Sequence, residues 1–174
     1  MLFTWIIERL FDSVPHRRLI EKLRSIGING NLLEWLNSFL TSRTMRVCLR
    51  GTFSELMEVL SGVPQGSMLP LLFLLYVNEL PECIKCDMIM FADDTKLWCK
   101  ITKDEDSCIL QDDLDKLKTW SSTWQFKFNT DKCKIMHIGH SIDTKYYMND
   151  GSERKELQSV HQERDLGVII TSNL

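Results

Sequence analysis

The feature that most constrains the fold is a pair of adjacent carboxylates set between two apolar segments. Residues 88–91 have the sequence Met-Ile-Met-Phe, and after Ala-Asp-Asp the chain continues with Thr-Lys-Leu-Trp. Short apolar runs of this length, bounded by polar turn residues, are typical of buried strands. We therefore predict a β-hairpin made of Asp87–Phe91 and Thr95–Trp98. Asp93 and Asp94 are expected at or next to its turn.

Two adjacent carboxylates between buried strands favour a cation nearby. Asp93 and Asp94 repel each other, and they lose hydration when the flanking strands are buried. Mg²⁺ suits this site, because it binds one or two carboxylates and completes its shell with waters or substrate phosphates. An ordinary Asp-rich turn without a metal is the alternative, since aspartate is a common turn residue.

The second chemical feature is the loop 61–67, with the sequence Ser-Gly-Val-Pro-Gln-Gly-Ser. Glycines beside a rigid proline let the backbone approach a flat ligand, and the amide of Gln65 can both donate and accept hydrogen bonds. The alternative is a helix-entry loop in which Ser67 caps the largely apolar, buried helix that we predict over Leu71–Leu80.

The remaining pattern mixes helices and strands without strict alternation. Apolar residues recur at helical spacing after Pro15, in Asn31–Leu40 and in Glu105–Trp124. Thr44–Arg50 alternates with a period of two, which predicts a half-buried strand with Phe53–Leu60 as its hairpin partner. Further short strand candidates are Cys133–Ile138, Lys145–Met148 and Leu166–Ile170. This mixture predicts an α+β fold.

Composition excludes several classes of protein. Of 174 residues, 44% are apolar and 26% are charged, which is typical of a globular domain and excludes wholesale disorder. Lys and Arg number 21 against 24 Asp and Glu, so a histone-like polybasic protein is also excluded. We interpret the acidic cluster Asp112, Asp113 and Asp115 as a solvated helix face. No apolar run is long enough to span a bilayer and no secretory signal is recognised, so we expect an intracellular location, nuclear or cytoplasmic.

The six cysteines are expected to be reduced thiols, because a chain of this length with its own core does not need disulfides. Cys83 and Cys86 could bind zinc together with His137 and His140. The histidine spacing is shorter than usual for zinc and no second Cys-x-x-Cys exists, so ordinary thiols are the alternative.

Basic residues on the predicted strand are candidates for contact with a nucleic acid. Arg46 and Arg50 share the polar face of Thr44–Arg50, where two cations would meet phosphates. A charged strand face in water is the alternative.

Five segments occur in one order along the chain: Phe11–Arg18, 61–67, 91–94, 126–134 and Asp165–Val168. In this order they resemble the motifs of the reverse transcriptase of non-LTR (LINE-type, jockey-like) retrotransposons. The resemblance runs from Phe11 to the last residue and so covers nearly the whole chain.

The resemblance implies a polymerase palm, an antiparallel sheet backed by helices, with a partial fingers region. Residues 11–174 would form this partial palm with the start of the primer-grip region, and residues 1–10 would be an atypical N-terminal segment. The implied function is that of a fragment of an RNA-directed DNA polymerase of a mobile element. Two-metal nucleotidyl transfer in that family uses an RNA template, a DNA primer and dNTPs.

The resemblance also assigns catalytic roles. Asp93 and Asp94 would bind Mg²⁺. Lys132, with Lys134 as the alternative, would donate a proton to the departing pyrophosphate.

Binding roles follow from the same motifs. Phe11 would lie under the sugar as the gate against a ribose 2′-hydroxyl, and Gln65 and Gly66 would face the incoming nucleotide. Leu166 and Gly167 would support the primer strand.

One position departs from the family pattern in a way that bears on activity. The family has an aspartate five residues before the phenylalanine, and here that position is Ile6, which cannot ligate Mg²⁺. Glu8 lies two residues further along, roughly 6.6 Å on a strand. We expect Ile6 on a strand beside Asp93 and only weak Mg²⁺ binding.

The alternative function is therefore a catalytically inactive remnant that at most binds nucleic acid or protein. An unrelated metal-dependent phosphohydrolase using Asp93 and Asp94 is a third possibility, but it leaves the loop 61–67 and the later motifs unexplained.

Overall fold

The computed structural model describes residues 2–6, 13–63, 70–91, 94–126, 128–139, 144–150 and 153–173. The chain divides into two compact units. The sheet unit comprises the described residues within Met1–Glu8 and Glu79–Leu174, and the helix unit comprises those within Arg9–Asn78.

The described residues form short strands and four α-helices, without strict alternation. The strands are β1 (Leu2–Ile6), β2 (Thr44–Met45), β3 (Cys48–Leu49), β4 (Thr52–Phe53), β5 (Met57–Glu58), β6 (Asp87–Phe91), β7 (Asp94–Trp98), β8 (Lys134–Met136), β9 (Tyr147–Asp150), β10 (Glu153–Glu156), β11 (Gln158–Ser159), β12 (Gln162–Asp165) and β13 (Val168–Thr171). The helices are α1 (His16–Ser25), α2 (Gly30–Leu40), α3 (Pro70–Val77) and α4 (Asp104–Trp124). A 3₁₀ helix spans Leu80–Cys83. The predicted α+β class is confirmed.

A five-stranded sheet in the order β11-β8-β1-β7-β6 forms the centre of the sheet unit. The central strand β1 is antiparallel to both of its neighbours, β7 and β8. The predicted sheet is antiparallel. The structure differs at one edge, where β11 joins β8 in the parallel direction. This pair is only two residues long, and it forms where the chain returns beside β8 after the β9–β10 hairpin.

The predicted hairpin is confirmed, with β6 and β7 paired from Asp87 opposite Trp98 to Phe91 opposite Asp94. The prediction that its first strand is buried is wrong. Ile89 and Phe91 are 54% and 61% exposed, whereas the alternate residues Met88 and Met90 are half-buried. Because β6 is an edge strand with one covered face, an apolar sequence on both faces does not make both faces buried.

The long helix α4 confirms the prediction over Glu105–Trp124. It begins where the Asp106 carboxylate accepts the backbone N–H groups of Thr102 and Lys103, at 2.8 and 2.9 Å. Such a cap satisfies donors that the first turn leaves unpaired. The helix ends at Gln125, whose φ of +57° is left-handed. Its leucines at positions 110, 114 and 117 are buried, and it packs against β9 and the 3₁₀ helix.

The interpretation of the acidic cluster on α4 is wrong for Asp113, which is fully buried. Its Oδ2 accepts the backbone N–H groups of Lys85 and Cys86, at 2.8 and 2.7 Å, and its Oδ1 accepts the Lys116 ammonium at 2.8 Å. Burial alone would raise the pKa of Asp113, but these hydrogen bonds together outweigh it and hold the pKa below its usual range. Asp113 thus fixes α4 to the turn that precedes β6.

The helix unit buries the apolar stripes of three helices. Leu19 and Leu23 of α1 are fully buried, and α1 packs against both α2 and α3. The predicted helix over Leu71–Leu80 ends at Val77, because Pro81 favours the separate 3₁₀ turn that follows. Leu72, Phe73, Tyr76 and Val77 are buried, which agrees with the predicted buried helix, whereas Leu71 and Leu74 form an exposed face. Among the described residues, no helix has the length and apolar character needed to cross a bilayer.

The continuous strand predicted over Thr44–Arg50 is wrong. Two short ladders form instead, β2 with β5 and β3 with β4, and the whole segment is exposed. Arg50 has a φ of +49° and Gly51 one of +83°, so Arg50 belongs to a tight turn and does not share a strand face with Arg46. The Arg46 guanidinium lies 3.9 Å from the centre of the Phe53 ring. The predicted pair of phosphate-binding arginines is therefore not formed.

Candidate catalytic and nucleic-acid site

Strand pairing places the end of β1 next to the start of β7, where the second residue of the Asp93–Asp94 pair lies. Ile6 is the register partner of Asp94, and on the other side of β7 Asp94 pairs with Phe91. Ile6 lies on a strand, as predicted, and the residue beside it is Asp94. The Asp93 named in the prediction lies outside the described residues, so that part stays a prediction. A residue without a carboxylate therefore occupies the register position opposite Asp94.

Several predicted site residues lie outside the described residues: Phe11, Gln65, Gly66 and Asp93. For Asp94 the description covers its backbone in β7. The roles that the sequence resemblance assigns to these positions stay predictions.

The segment that carries the predicted proton donor is held against α4. Phe126 donates its backbone N–H to Ser121 at 2.8 Å, and its ring stacks on Trp120 with centroids 5.6 Å apart. Further along, the buried Cys133 thiol donates to the Asn129 carbonyl at 3.2 Å. The turn that bears Lys132 therefore has both of its ends anchored.

Lys132 and Lys134 have different surroundings. Lys132 is exposed and lies two residues before the first residue of β8, at the end of the sheet where Ile6 and Asp94 lie, because β8 runs antiparallel to β1. Lys134 is inside β8, and its ammonium forms a 2.8 Å ion pair with Glu163. Of the two, Lys132 is the lysine at the Asp94 end of the sheet.

The predicted primer-supporting residues form the tip of a hairpin. Strands β12 and β13 pair from Gln162 opposite Thr171 to Asp165 opposite Val168. Leu166 and Gly167 connect them as a two-residue turn with φ values of +45° and +88°. The strand predicted from Leu166 therefore begins two residues later, at Val168.

Two ion pairs connect this hairpin to the sheet. The Lys96 ammonium of β7 pairs with the Asp165 carboxylate, and Lys134 of β8 pairs with Glu163. Lys96 is two residues from Asp94, so the structure brings the hairpin to the strand that begins with Asp94. Sequence reasoning missed Lys96, Glu163 and Asp165. The available signal was the alternation of two acids on β12, which places both on one strand face.

The base of the loop 61–67 is held inside the helix unit. The buried His16 imidazole Nε2 lies 2.9 Å from the Gly62 carbonyl oxygen, to which the Arg43 guanidinium also donates at 3.0 Å. The Gly62 N–H in turn donates to the Val14 carbonyl at 2.8 Å. Burial lowers the pKa of His16, and the Arg43 charge adds to this effect against the opposing hydrogen bond to Gly62. A neutral imidazole and a cation thus fix the first glycine of the loop.

The zinc hypothesis receives no support from the cysteine geometry. Cys86 is buried, and burial, together with hydrogen bonding to Cys99, raises the pKa of its thiol. Cys83 is exposed and donates to the Glu79 carbonyl, and His140 lies outside the described residues. Within the described ranges, no three His, Cys, Asp or Glu side chains cluster as a metal site.

The turn at the hairpin tip predicts a stabilising substitution. Leu166 is 61% exposed and has left-handed φ, which costs a leucine about 1 kcal/mol and an asparagine less. We expect Leu166→Asn to raise the free energy of unfolding by roughly 0.5–1 kcal/mol in denaturant titration. The control is Leu166→Ala, which keeps the left-handed penalty. Equal stability of the two variants would contradict the expectation.

Comparison with known proteins identifies the same family that the order of the motifs indicates. A family model described as "Reverse transcriptase (RNA-dependent DNA polymerase)" matches residues 4–170. The RNA-directed DNA polymerase from mobile element jockey of Drosophila melanogaster is 31% identical over 140 residues, 73% of this chain and 15% of the relative. Its counterpart in Drosophila funebris is 29% identical in an alignment 182 residues long, which covers 97% of this chain and 19% of the relative. The resemblance to non-LTR retrotransposon reverse transcriptases is confirmed.

A structural neighbour supports the same fold. Apo telomerase from Candida tropicalis, truncated from its C-terminal domain, matches with a TM-score of 0.61 and 14% identity. The match covers 98% of this chain and 34% of that one. The chain spans less than a fifth of the length of the jockey relatives that it matches.

Proposed function

Because the chain belongs to the reverse transcriptase (RNA-dependent DNA polymerase) family, we propose that it is a polymerase palm that binds an RNA template and a DNA primer but does not transfer nucleotides. The observation that carries this proposal is the register of β1 and β7, which sets Ile6 opposite Asp94. The proposed fold is a partial palm with part of the fingers and the start of the primer-grip region, over residues 11–174. Residues 1–10 would be an atypical N-terminal segment, because the position of the family's aspartate is Ile6, although the family match includes residues 4–10 and β1 is the central strand of the sheet.

The carboxylates of Asp93 and Asp94 are better suited to one Mg²⁺ ion than to two. Asp93 and Asp94 are two carboxylates on adjacent residues, which is enough for one Mg²⁺ completed by waters or phosphates. A pair of metal ions clamps both the attacking and the leaving oxygen, and it needs more carboxylate ligands than this. Ile6 supplies none at the neighbouring register position. These residues therefore do not support two-metal catalysis.

Substrate binding needs less than catalysis does. The primer strand would be supported by Leu166 and Gly167 at the tip of the β12–β13 hairpin. The incoming nucleotide would meet Phe11, Gln65 and Gly66. Lys132 at the Asp94 end of the sheet would pair with its phosphates, whether or not a proton is transferred. The loss of one metal ligand removes none of these contacts.

An active polymerase is the second candidate, because the family match begins at residue 4 and so includes residues 4–6 of β1. Primer extension on a homopolymer template with Mg²⁺ or Mn²⁺ separates the two. We expect a labelled RNA–DNA primer–template to bind in fluorescence anisotropy and no dNTP to be incorporated. Affinity should fall steeply with added salt, since phosphate contacts release counterions. Incorporation that Asp93→Ala abolishes would overturn the inactive assignment, and a duplex that does not bind would overturn the binding function.

A further inference from the structure

The β12–β13 hairpin is attached to the sheet unit at its open end by backbone hydrogen bonds. Gly139 donates its N–H to the Ser172 carbonyl at 3.2 Å, and Ser172 in turn donates its N–H to the His161 carbonyl at 2.9 Å, which closes the base of the hairpin itself. Just before the hairpin, Val160 donates to the Ile135 carbonyl at 2.8 Å. These contacts hold the base of the hairpin beside β8. They do not by themselves set the direction in which its tip points.

The two ion pairs act closer to the tip, and their positions give the direction of β12. Thr4 of β1 is the register partner of both Lys96 and Lys134, so the two lysines lie in one row across the sheet, on either side of β1. Neighbouring strands are about 4.8 Å apart, which separates the lysine backbones by roughly 9.6 Å. Glu163 and Asp165 are about 6.8 Å apart along β12. Flexible lysine side chains can bridge the difference, so β12 crosses from β8 to β7 over β1.

Both ion pairs are sheltered from water. The side chains of Lys96 and Asp165 are 12% and 19% exposed, and those of Lys134 and Glu163 are 32% and 24% exposed. Charges in such surroundings are screened less than surface pairs, and removing one partner leaves the other charge partly buried. Breaking either pair should therefore loosen the hairpin more than breaking an exposed pair would.

We propose that Lys96 and Lys134 are positioning residues that clamp β12 through Asp165 and Glu163, and so hold the Leu166–Gly167 tip beside β7 for primer binding. Asp165 directly precedes the tip, and its partner Lys96 is on the strand that begins with Asp94. The clamp sets the spacing between the primer-supporting turn and the acidic pair. The part that concerns the primer rests on the proposed function.

Hydrogen exchange by mass spectrometry tests the clamp in the absence of any ligand. We expect Glu163→Lys or Asp165→Lys to speed amide exchange over residues 162–171 by roughly tenfold or more. In each variant, local opening of the hairpin no longer has to break the ion pair that was removed. The charge swaps Lys134→Glu/Glu163→Lys and Lys96→Glu/Asp165→Lys should restore slow exchange. The matched control is Lys145→Glu, which breaks the exposed 3.0 Å pair with Glu156 and should leave the hairpin unchanged.

Exchange in α4, measured in the same experiment, distinguishes local loosening from global unfolding. If a charge reversal also unfolds α4, the neutral variants Glu163→Gln and Asp165→Asn replace it. Unchanged exchange over 162–171 in these variants would overturn the clamp. A charge swap that fails to restore slow exchange would also overturn the clamp. If these residues acted through packing alone, opposite charges in the swapped positions would not restore slow exchange.

Primer–template affinity is the second measurement, and it separates the clamp from the proposed function. We expect Glu163→Lys to weaken primer–template binding several-fold, although the added positive charge would by itself favour phosphate binding. The swap Lys134→Glu/Glu163→Lys should restore the affinity. If the parent chain does not bind the duplex while exchange responds as expected, the binding function fails and the clamp stands. If the parent binds and exchange does not respond, the clamp fails and the binding function stands. The Lys134–Glu163 pair is preferred for this test because Lys96 is only two residues from Asp94.

Discussion

An Ile6→Asp variant is expected to bind Mg²⁺ at least tenfold more tightly than the parent chain. The register sets position 6 opposite Asp94, so an aspartate there would add a carboxylate to the acidic pair. Three carboxylates repel one another unless a cation is present, and this repulsion is relieved when Mg²⁺ binds. A tenfold gain corresponds to about 1.4 kcal/mol of binding free energy.

Titration calorimetry with MgCl₂ measures this difference directly. The matched control is Ile6→Asn, which has nearly the same shape as aspartate without its charge and should bind like the parent. Asp93→Ala in the Ile6→Asp background should remove most of the gain. Equal Mg²⁺ affinity in the parent and in Ile6→Asp would refute the assignment of position 6 as the missing ligand.

The same variant makes a prediction for stability. In EDTA, Ile6→Asp should unfold at a lower temperature than the parent, because the added charge has no cation to face. Adding Mg²⁺ at 100 times its Kd should recover about 2.7 kcal/mol. A melting temperature that Mg²⁺ does not change would contradict the proposed site independently of calorimetry.

Asp113→Ala is expected to be the most destabilising single substitution in the sheet unit, at about 3–5 kcal/mol. The fully buried carboxylate accepts two backbone N–H groups and the Lys116 ammonium. Its removal leaves the N–H groups of Lys85 and Cys86 without this acceptor at the start of β6. Denaturant titration measures the loss. The control is Asp112→Ala on the same helix, which is exposed and should change stability by less than about 0.5 kcal/mol.

The pH dependence gives Asp113 a distinct signature. Its pKa is lowered in the folded protein, because its three hydrogen bonds outweigh the opposing effect of burial. The carboxylate therefore stabilises the fold at pH values above the unfolded pKa of about 3.9. That stability is lost as the pH falls below this value through the folded pKa. Asp113→Asn should flatten the dependence of unfolding free energy on pH below about 4. A curve parallel to that of the parent would exclude the assigned role.

Local patterns were enough to predict the elements that surround the acidic pair. The hairpin of β6 and β7, the helix α4 and the start of α1 all follow from periodicity and turn residues within short windows of chain. The importance of Ile6 was also predictable, because it depends on a fixed count of residues before Phe11. These features are local in sequence, so the residues that specify them are neighbours along the chain.

The tertiary structure alone decided which faces and charges are covered. Asp113 has the same charge as Asp112 and Asp115, and only the turn at Lys85 and Cys86 makes it buried. Met88 and Ile89 are both apolar, yet their exposure differs because they lie on opposite faces of β6 and only one face is covered. The pairing of Lys96 with Asp165 joins residues 69 positions apart. Burial and ion pairing depend on what another element brings to the same place, and a local pattern does not contain that information.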